Sequence, residues 1–455
     1  MKMHKAIYGM VVLVCFAFAK AYSQESPQPL LTREQAVALM LENNYNIKIA
    51  QNQELIADNN QGLLNSGYLP SLQGTAGINI DENDSNTDFK GALDQSGNPR
   101  PDITINNAQT TQYNAGLSLD YTLFDGLGRL YNYKRLQEQY ELTQLQVRST
   151  IENTTVQLMS VYLENARLTE NVNVFQQNLE ISKKREERAR YQFEFGQVNK
   201  LEVLNARVDI NTDSINLMNA QQQLRNSKRD LNLILNRELT TQFEIDTLVN
   251  LENMLLIESF LEKVADHNVT LLQAESNVTI SDYDIKTTRA LLLPRIGLIG
   301  TYGWNETQNP PSAFFPATVR TASNVAVGAN LTWNIFDGGL TLNSMRNAKI
   351  AYQNEQLLKQ QLEQEVARDI ANAKDQYQNA VAIYHMQEQN VQTNEDNFNR
   401  SQERFKLGQI TSIEFRQAQV NLLNAETTRN LAKYDAKLAE YQLLQLAGQL
   451  LNVPL

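Results

Sequence analysis

The chain has 455 residues and carries 51 Asp and Glu against 40 Lys and Arg, a formal charge of −11. That balance argues against nucleic acid as a partner, and the single cysteine excludes a disulfide framework within one chain.

The N-terminus has the layout of an export signal over residues 1–23. Lys2 and Lys5 give a positive start, and Ala6 to Ala19 is an apolar run too short for a membrane helix. Ala21 and Ser23 are the small residues before a cut ahead of Gln24. Cys15 lies inside this run, which continues past it as Phe16-Ala17-Phe18-Ala19 and so counts against lipidation there. The removed piece carries Lys2, Lys5 and Lys20 and no acid, so the mature charge is −11 − 3 = −14. No later stretch is apolar enough to cross a bilayer as a helix. An exported chain of this kind can still span a membrane as a closed barrel, where every backbone group is satisfied between strands.

The rest of the chain is an internal repeat. Adding 224 to Asn44, Ala50, Ile56, Asp58 and Pro70 gives Asn268, Ala274, Ile280, Asp282 and Pro294. Adding 212 to Phe124-Asp125-Gly126 and Gly196 gives Phe336-Asp337-Gly338 and Gly408. The offset drops by 224 − 212 = 12 because the first copy has a longer polar insertion, Asp81 to Gln109, which reads as a surface loop. Its counterpart is Asn305 to Ala322. The repeat divides the chain into residues 24–235, a connector at 236–258 that forms a belt, and residues 259–455.

Each copy opens with a helical segment, Thr32 to Gly67 and Ser259 to Leu293, with Thr32 and Gln35 resembling a capping box. Each segment stops at a proline, Pro70 or Pro294. Strands follow. Tyr113, Ala115, Leu117, Leu119, Tyr121 and Leu123 form an apolar row that alternates with Asn114, Gly116, Ser118, Asp120 and Thr122. Val325, Val327, Ala329, Leu331, Trp333 and Ile335 alternate with polar or small residues in the same register. Strict alternation over about ten residues, with an aromatic near one end, suits a strand with lipid on one side and a wet lumen on the other. Leu72 to Ile80 and Ile296 to Trp304 are the partner strands. Alternation is common in soluble sheets; its recurrence in two copies of an exported chain favours the membrane. Membrane barrels start at about eight strands, and open edges are not tolerated in lipid. Four strands per chain therefore require several copies to share one barrel.

After each Asp-Gly turn comes a long helical stretch. Gly126 to Gly196 spans about 70 residues, roughly 105 Å as a helix. Leu158, Val161, Leu168, Val172, Phe175 and Leu179 recur at steps of three and four, interrupted by Asn165, as in a coiled-coil seam. Shorter helices return over Asn199 to Leu235 and Thr411 to Leu446. No enzyme chemistry is visible: His4, His267 and His385 are solitary, so no metal site or other cofactor is expected.

In order, helix, Leu-Pro, strand, strand, Phe-Asp-Gly, long helix, glycine tip and return helix occur twice. This pattern resembles the TolC-like outer-membrane factor (outer membrane efflux protein) family across essentially the whole mature chain. The residues that carry the resemblance are Leu69-Pro70, Leu293-Pro294, the two Phe-Asp-Gly turns, and the tips Phe193-Glu194-Phe195-Gly196-Gln197 and Phe405-Lys406-Leu407-Gly408-Gln409. The resemblance implies a mixed α/β membrane protein. It would combine a long antiparallel α-helical coiled-coil barrel with a shared 12-stranded transmembrane β-barrel, four strands per chain in a homotrimer. It implies a place in the bacterial outer membrane, among its lipid, with a tunnel extending into the periplasm. It also implies a periplasmic adaptor (membrane fusion) protein docking on the tips at Phe195, Gly196, Gln197, Leu407, Gly408 and Gln409, and an inner-membrane pump of RND or ABC type.

By spacing from the tip glycine, the resemblance assigns a periplasmic gate to Glu202, Glu414 and Gln417, with Gln417 replacing an acid; to the same gate it adds Lys433, which keeps a cation where the family has one. Phe405 and Ile410 stand where the family has a tyrosine and an arginine that hold the closed state, so the closing links must differ here. First-turn acids are also favoured by the helix dipole, which accounts for Glu202 and Glu414 equally well. Leu119, Tyr121, Leu331 and Trp333 are the expected lipid-facing positions. The function implied is the exit duct of a tripartite efflux pump, passively conducting drugs or other small molecules. The alternatives are the exit duct of a type I protein secretion system and, in a different class, a periplasmic coiled-coil scaffold.

Overall fold

In a computed structural model, residues 29–312 and 314–453 are described. The signal assigned to residues 1–23 lies outside them. The elements in chain order are β1 (Leu30–Leu31), α1 (Arg33–Asn43), α2 (Tyr45–Gln61), β2 (Ser71–Thr87), β3 (Ile103–Phe124), α3 (Gly128–Glu194), α4 (Lys200–Ile234), β4 (Glu244–Ile245), α5 (Met254–Leu261), α6 (Val264–His267), α7 (Val269–Ala290), β5 (Arg295–Asn309), β6 (Thr318–Thr332), α8 (Leu340–Lys406) and α9 (Ser412–Leu446). The long helices α3 and α8 are 67 residues each, and the return helices α4 and α9 are 35 each. The chain separates into two compact units. The first holds Met1–Asn52, Leu145–Leu272 and Leu362–Leu455; the second holds Gln53–Gln144 and Gln273–Gln361.

The first unit is helical. Its core is built by Met40, Ile47, Leu158, Met159, Tyr162, Leu231, Leu235 and Leu444, each at most 1% exposed. Side chains of this size contribute about 1.5–3 kcal/mol apiece when fully buried. Asn165, which breaks the apolar row of α3, is fully buried, and its Nδ2 donates to Ser227 Oγ of α4 at 2.8 Å. The amide nitrogen of this polar residue in the seam is therefore paired, while its buried Oδ1 has no partner.

The opening helix of each copy is not continuous. Asn44 is extended, at φ −62 and ψ 129, and its Oδ1 accepts from the Asn46 and Ile47 N–H groups to start α2. Its Nδ2 donates to the Ile234 carbonyl at 3.0 Å, at the end of α4. Asn268 repeats this, capping α7 through Thr270 and Leu271 and reaching the Leu446 carbonyl at 2.8 Å. This pair, conspicuous in the repeat, breaks a helix and ties down a helix end in each copy. The second copy also starts earlier than expected, at Met254, because Asn253 caps α5.

The connector is pinned by side chains along its length. Lys228 donates to the Phe243 carbonyl, Lys433 and Tyr434 to that of Thr247, Lys437 to that of Asn250, and Tyr377 to that of Glu252. Within it, β4 pairs in parallel with β1. Gly448, the counterpart of Asn236 in the repeat, has φ +67, and a Cβ there would run into the His267 carbonyl oxygen. Only glycine fits.

The second unit carries one four-stranded antiparallel sheet in the order β2-β3-β5-β6. The strands run further than the alternation suggested. The polar stretch read as a loop from Asp81 is largely ladder, with Asp81 opposite Thr110 and Thr87 opposite Ile103. Apart from Ile103, Ile105 and Ala108 the paired residues there are polar, so the two-residue period fades while the backbone pairing continues.

Candidate functional site

Two features stand out, one in each unit. In the sheet, directly opposed residues point to the same face. Leu72 is opposite Leu119, Ile78 opposite Tyr113, Leu117 opposite Tyr302, Tyr121 opposite Leu298, Ile296 opposite Leu331 and Tyr302 opposite Val325. The four strands thus merge their apolar rows into one continuous face. The opposite face pairs Asn79 with Gln112, Gly77 with Asn114, Ser118 with Thr301 and Gly297 with Asn330.

Among the described residues nothing covers the apolar face. Leu119 is 44% exposed, Leu331 64% and Val327 83%. Tyr121 and Trp333 also stand on this exposed side, Trp333 donating from Nε1 to the Leu292 carbonyl at 3.1 Å. A continuous apolar patch of this kind on a soluble surface would be a liability. Against lipid, with a polar face turned to water, it is the required pattern. The outer strands β2 and β6 each have one unpaired edge.

The second feature is the pair of tips. Both end in the same hydrogen-bonded loop. Gly196 N donates to the Phe193 carbonyl and Gln197 N to that of Gln192; Gly408 N donates to Phe405 and Gln409 N to Arg404. With φ of +69 and +72, both glycines hold the left-handed position of a Schellman motif. Phe195 and Leu407, 78% and 71% exposed, project beside them, and Gln197 and Gln409 are exposed.

The gate candidates sit in the first turn past the tips. Asn199 Oδ1 accepts from Glu202 N, capping α4. Glu414 closes a capping box on α9: its N–H donates to Thr411 Oγ1, while its carboxylate accepts from the Thr411 N–H and hydroxyl. Those donors hold its carboxyl below the usual range, the backbone N–H being the larger cause. Glu414 therefore acts as a capping residue, whereas Glu202 only offers its backbone N–H to the Asn199 cap. Gln417 is exposed and donates to Asn421. Lys433 is not brought to the tip. It lies 19 residues beyond Glu414 on the same helix, about 28 Å along the axis. There it pairs with Glu170 at 2.8 Å and holds the connector.

Behind the tips lies a buried ionic cluster that the repeat did not single out. Arg416 of α9 grips Asp213 of α4 with two hydrogen bonds of 2.8 Å. Ser182 of α3 donates to the same carboxylate at 2.5 Å, and Arg185 pairs with Asp209. Burial pushes the Arg185 guanidinium below its usual value, although Asp209 opposes the shift. At the tip itself Phe405 stacks on Phe415 with centroids 4.9 Å apart, and Arg188 lies over the Phe405 ring while donating to the Lys406 carbonyl.

A duplicated chain with a one-faced sheet and long helical hairpins capped by glycine tips is an outer-membrane duct with a helical extension. The model of the outer membrane efflux protein family matches residues 36–237 and 260–449. The outer membrane efflux protein BepC of Brucella suis biovar 1 is 22% identical over 410 residues, covering 87% of this chain and 80% of that protein. The outer membrane protein TolC of Vibrio cholerae serotype O1 is 21% identical over 307 residues, covering 67% of this chain and 70% of that protein. The solved CmeC outer membrane channel of Campylobacter jejuni shares the fold with a TM-score of 0.72 at 17% identity, covering 92% of this chain and 86% of that one. The chain belongs to the outer membrane efflux protein family, a family of transport ducts rather than enzymes.

Proposed function

We propose that three copies of this chain close one twelve-stranded barrel in the lipid of the outer membrane and form an efflux duct that conducts drugs or other small molecules passively. A periplasmic adaptor docks on the tips around Gly196 and Gly408 and joins the duct to an inner-membrane pump of RND or ABC type. Rings of Glu202 and Glu414 line the periplasmic mouth, with Gln417 adding no charge and Lys433 serving the connector instead. The chain divides functionally into residues 24–235, the connector 236–258, and residues 259–455.

The observation that carries this reading is a four-stranded sheet with one continuous uncovered apolar face and two open edges. Lipid covers such a face, and further copies of the chain satisfy such edges. The exposed Phe195 and Leu407 stand beside glycines whose positive φ disfavours a side chain, which gives the tips an apolar contact surface.

The test combines assembly with export. Mass measurement in detergent gives a trimer, and a Gly196→Trp/Gly408→Trp double variant reaches the outer membrane as trimers but exports nothing. A stable monomer overturns the shared barrel. Normal export by the double variant overturns docking at the tips.

A further inference from the structure

Where the polar face of the sheet reaches the helices, it ends in a recess of about 880 Å³, lined from the strand ends, the start of α3 and the end of α7. That size lies within the range of small-molecule sites. Four charged side chains line it: Asp120, Asp125, Arg129 and Arg295. Two of them satisfy each other, since Asp125 pairs with Arg129 at 3.1 Å and also accepts from its backbone N–H to start α3.

The other two are held apart. Arg295 opens β5 directly after Pro294, and its Nη2 donates to Thr122 Oγ1 at 2.7 Å. Asp120 stands two residues before Thr122 on the same face of β3, about 7 Å along the strand. Both side chains are exposed, and among the described residues neither has an ion-pair partner. Beside them the wall is apolar. Ile299 lies directly opposite Asp120, and Leu291, 63% exposed, lines the same recess.

The fold does not require these charges. The counterpart of Asp120 in the repeat is Thr332, that of Thr122 is Asn334, and that of Arg295 is Ser71. Thr332 and Ser71 occupy their ladders without a charge, Ser71 opposite Asp120 and Thr332 opposite Arg295. A wall that only had to meet water could be neutral in both copies. Here one copy presents a free carboxylate and a free guanidinium, set apart beside an apolar surface.

Resting on the shared-barrel reading, which turns the polar face to the lumen, we infer that this recess is a subsite of the duct wall for zwitterionic small molecules. The carboxylate of the cargo lies on Arg295, whose planar fork matches it. Its ammonium group lies on Asp120, and its apolar part rests against Ile299 and Leu291. A cargo with one charge satisfies one side chain and leaves the other with water. Exposed ion pairs of this kind are weak, which suits a duct that must release what it binds. Each chain carries one such recess, so a closed duct carries three.

Three probes with one ring test this. Phenylalanine carries both charges, hydrocinnamate the carboxylate alone and phenethylammonium the ammonium alone. Titrations followed by saturation-transfer NMR on the protein in detergent at neutral pH read their affinities. Phenylalanine should bind about three- to fivefold tighter than either analogue. Asp120→Asn should reduce phenylalanine to the level of hydrocinnamate and leave hydrocinnamate itself unweakened. Arg295→Gln should reduce phenylalanine to the level of phenethylammonium, and the double variant should show no preference among the three. Both replacements keep the shape of an exposed side chain, and the detergent mass of each variant checks its assembly. Equal affinities for the three probes in the unmodified chain, or a preference that survives both single changes, overturn the subsite. A monomeric mass of the unmodified chain overturns the shared barrel instead, so the two failures are distinguishable.

Discussion

Replacing Asp213 with Ala should destabilise the helical unit by about 3–5 kcal/mol, the usual cost of removing one partner from a buried ion pair. Asp213 is 1% exposed and takes both Nη groups of Arg416 together with the Ser182 hydroxyl. Its loss leaves Arg416 and the buried Arg185 sharing Asp209, whose carboxylate lies 3.6 Å from Arg416 Nε. An exposed pair would contribute at most about 1 kcal/mol, so the size of the loss separates the two cases. Urea unfolding in detergent, followed by circular dichroism, measures it. Replacing both partners, as Asp213→Leu/Arg416→Met, should recover most of the loss, because an apolar pair of similar volume needs no counter-charge. Amide exchange gives a local readout: protection should fall over residues 403–415 at the second tip while the Tyr162 core keeps its own. A loss below about 1 kcal/mol, or a double variant as unstable as the single one, refutes the reasoning.

On the lipid face, Leu119→Arg or Leu331→Arg should cost about 2–4 kcal/mol near the midplane, whereas Ser118→Arg or Asn330→Arg should leave heat-modifiable trimers intact; equal damage from both faces contradicts the assigned faces. At the mouth, Glu414→Gln and Glu202→Gln should each weaken cation preference in single-channel recordings, and unchanged selectivity in both would overturn the acidic rings. The pH dependence has a definite sign. Because Thr411 lowers the Glu414 carboxyl below its ordinary 4.5, its capping contribution is present above that value and is lost as pH falls through the lower folded one. Its share of the cation preference should therefore survive acidification to 4.5 and vanish below.

What could be read from the sequence was what occurs twice. Alternation in two registers marked the strands with one apolar face, and the tip glycines stood out because Gly196 and Gly408 obey one offset. The strand ends beyond Asp81 were hidden because pairing outlasts the polarity pattern once both faces meet water. The ionic cluster was hidden for another reason: Arg185, Asp213 and Arg416 correspond to Asn397, Ala425 and Leu204 in the other copy. The contacts of Lys433 with Glu170 and the Thr247 carbonyl were not legible, because the sequence does not show what a helix packs against at that height.

The copy-specific residues have a common logic. A ring of near-equivalent parts needs the same strand faces and helix caps in each part, so those repeat. What binds one half to the other inside a chain is needed once. The two turns differ too: within the first copy Arg129 pairs with Asp125, donates to the Gly67 and Leu123 carbonyls and lies over the Tyr68 ring. Its counterpart is Thr341, which bonds only to Asp337 within its own turn. The first turn is thus fastened by its own chain. The second ends with Phe336 and Gly338 uncovered, whereas the first packs at Gly126 against Ala290 and Leu293.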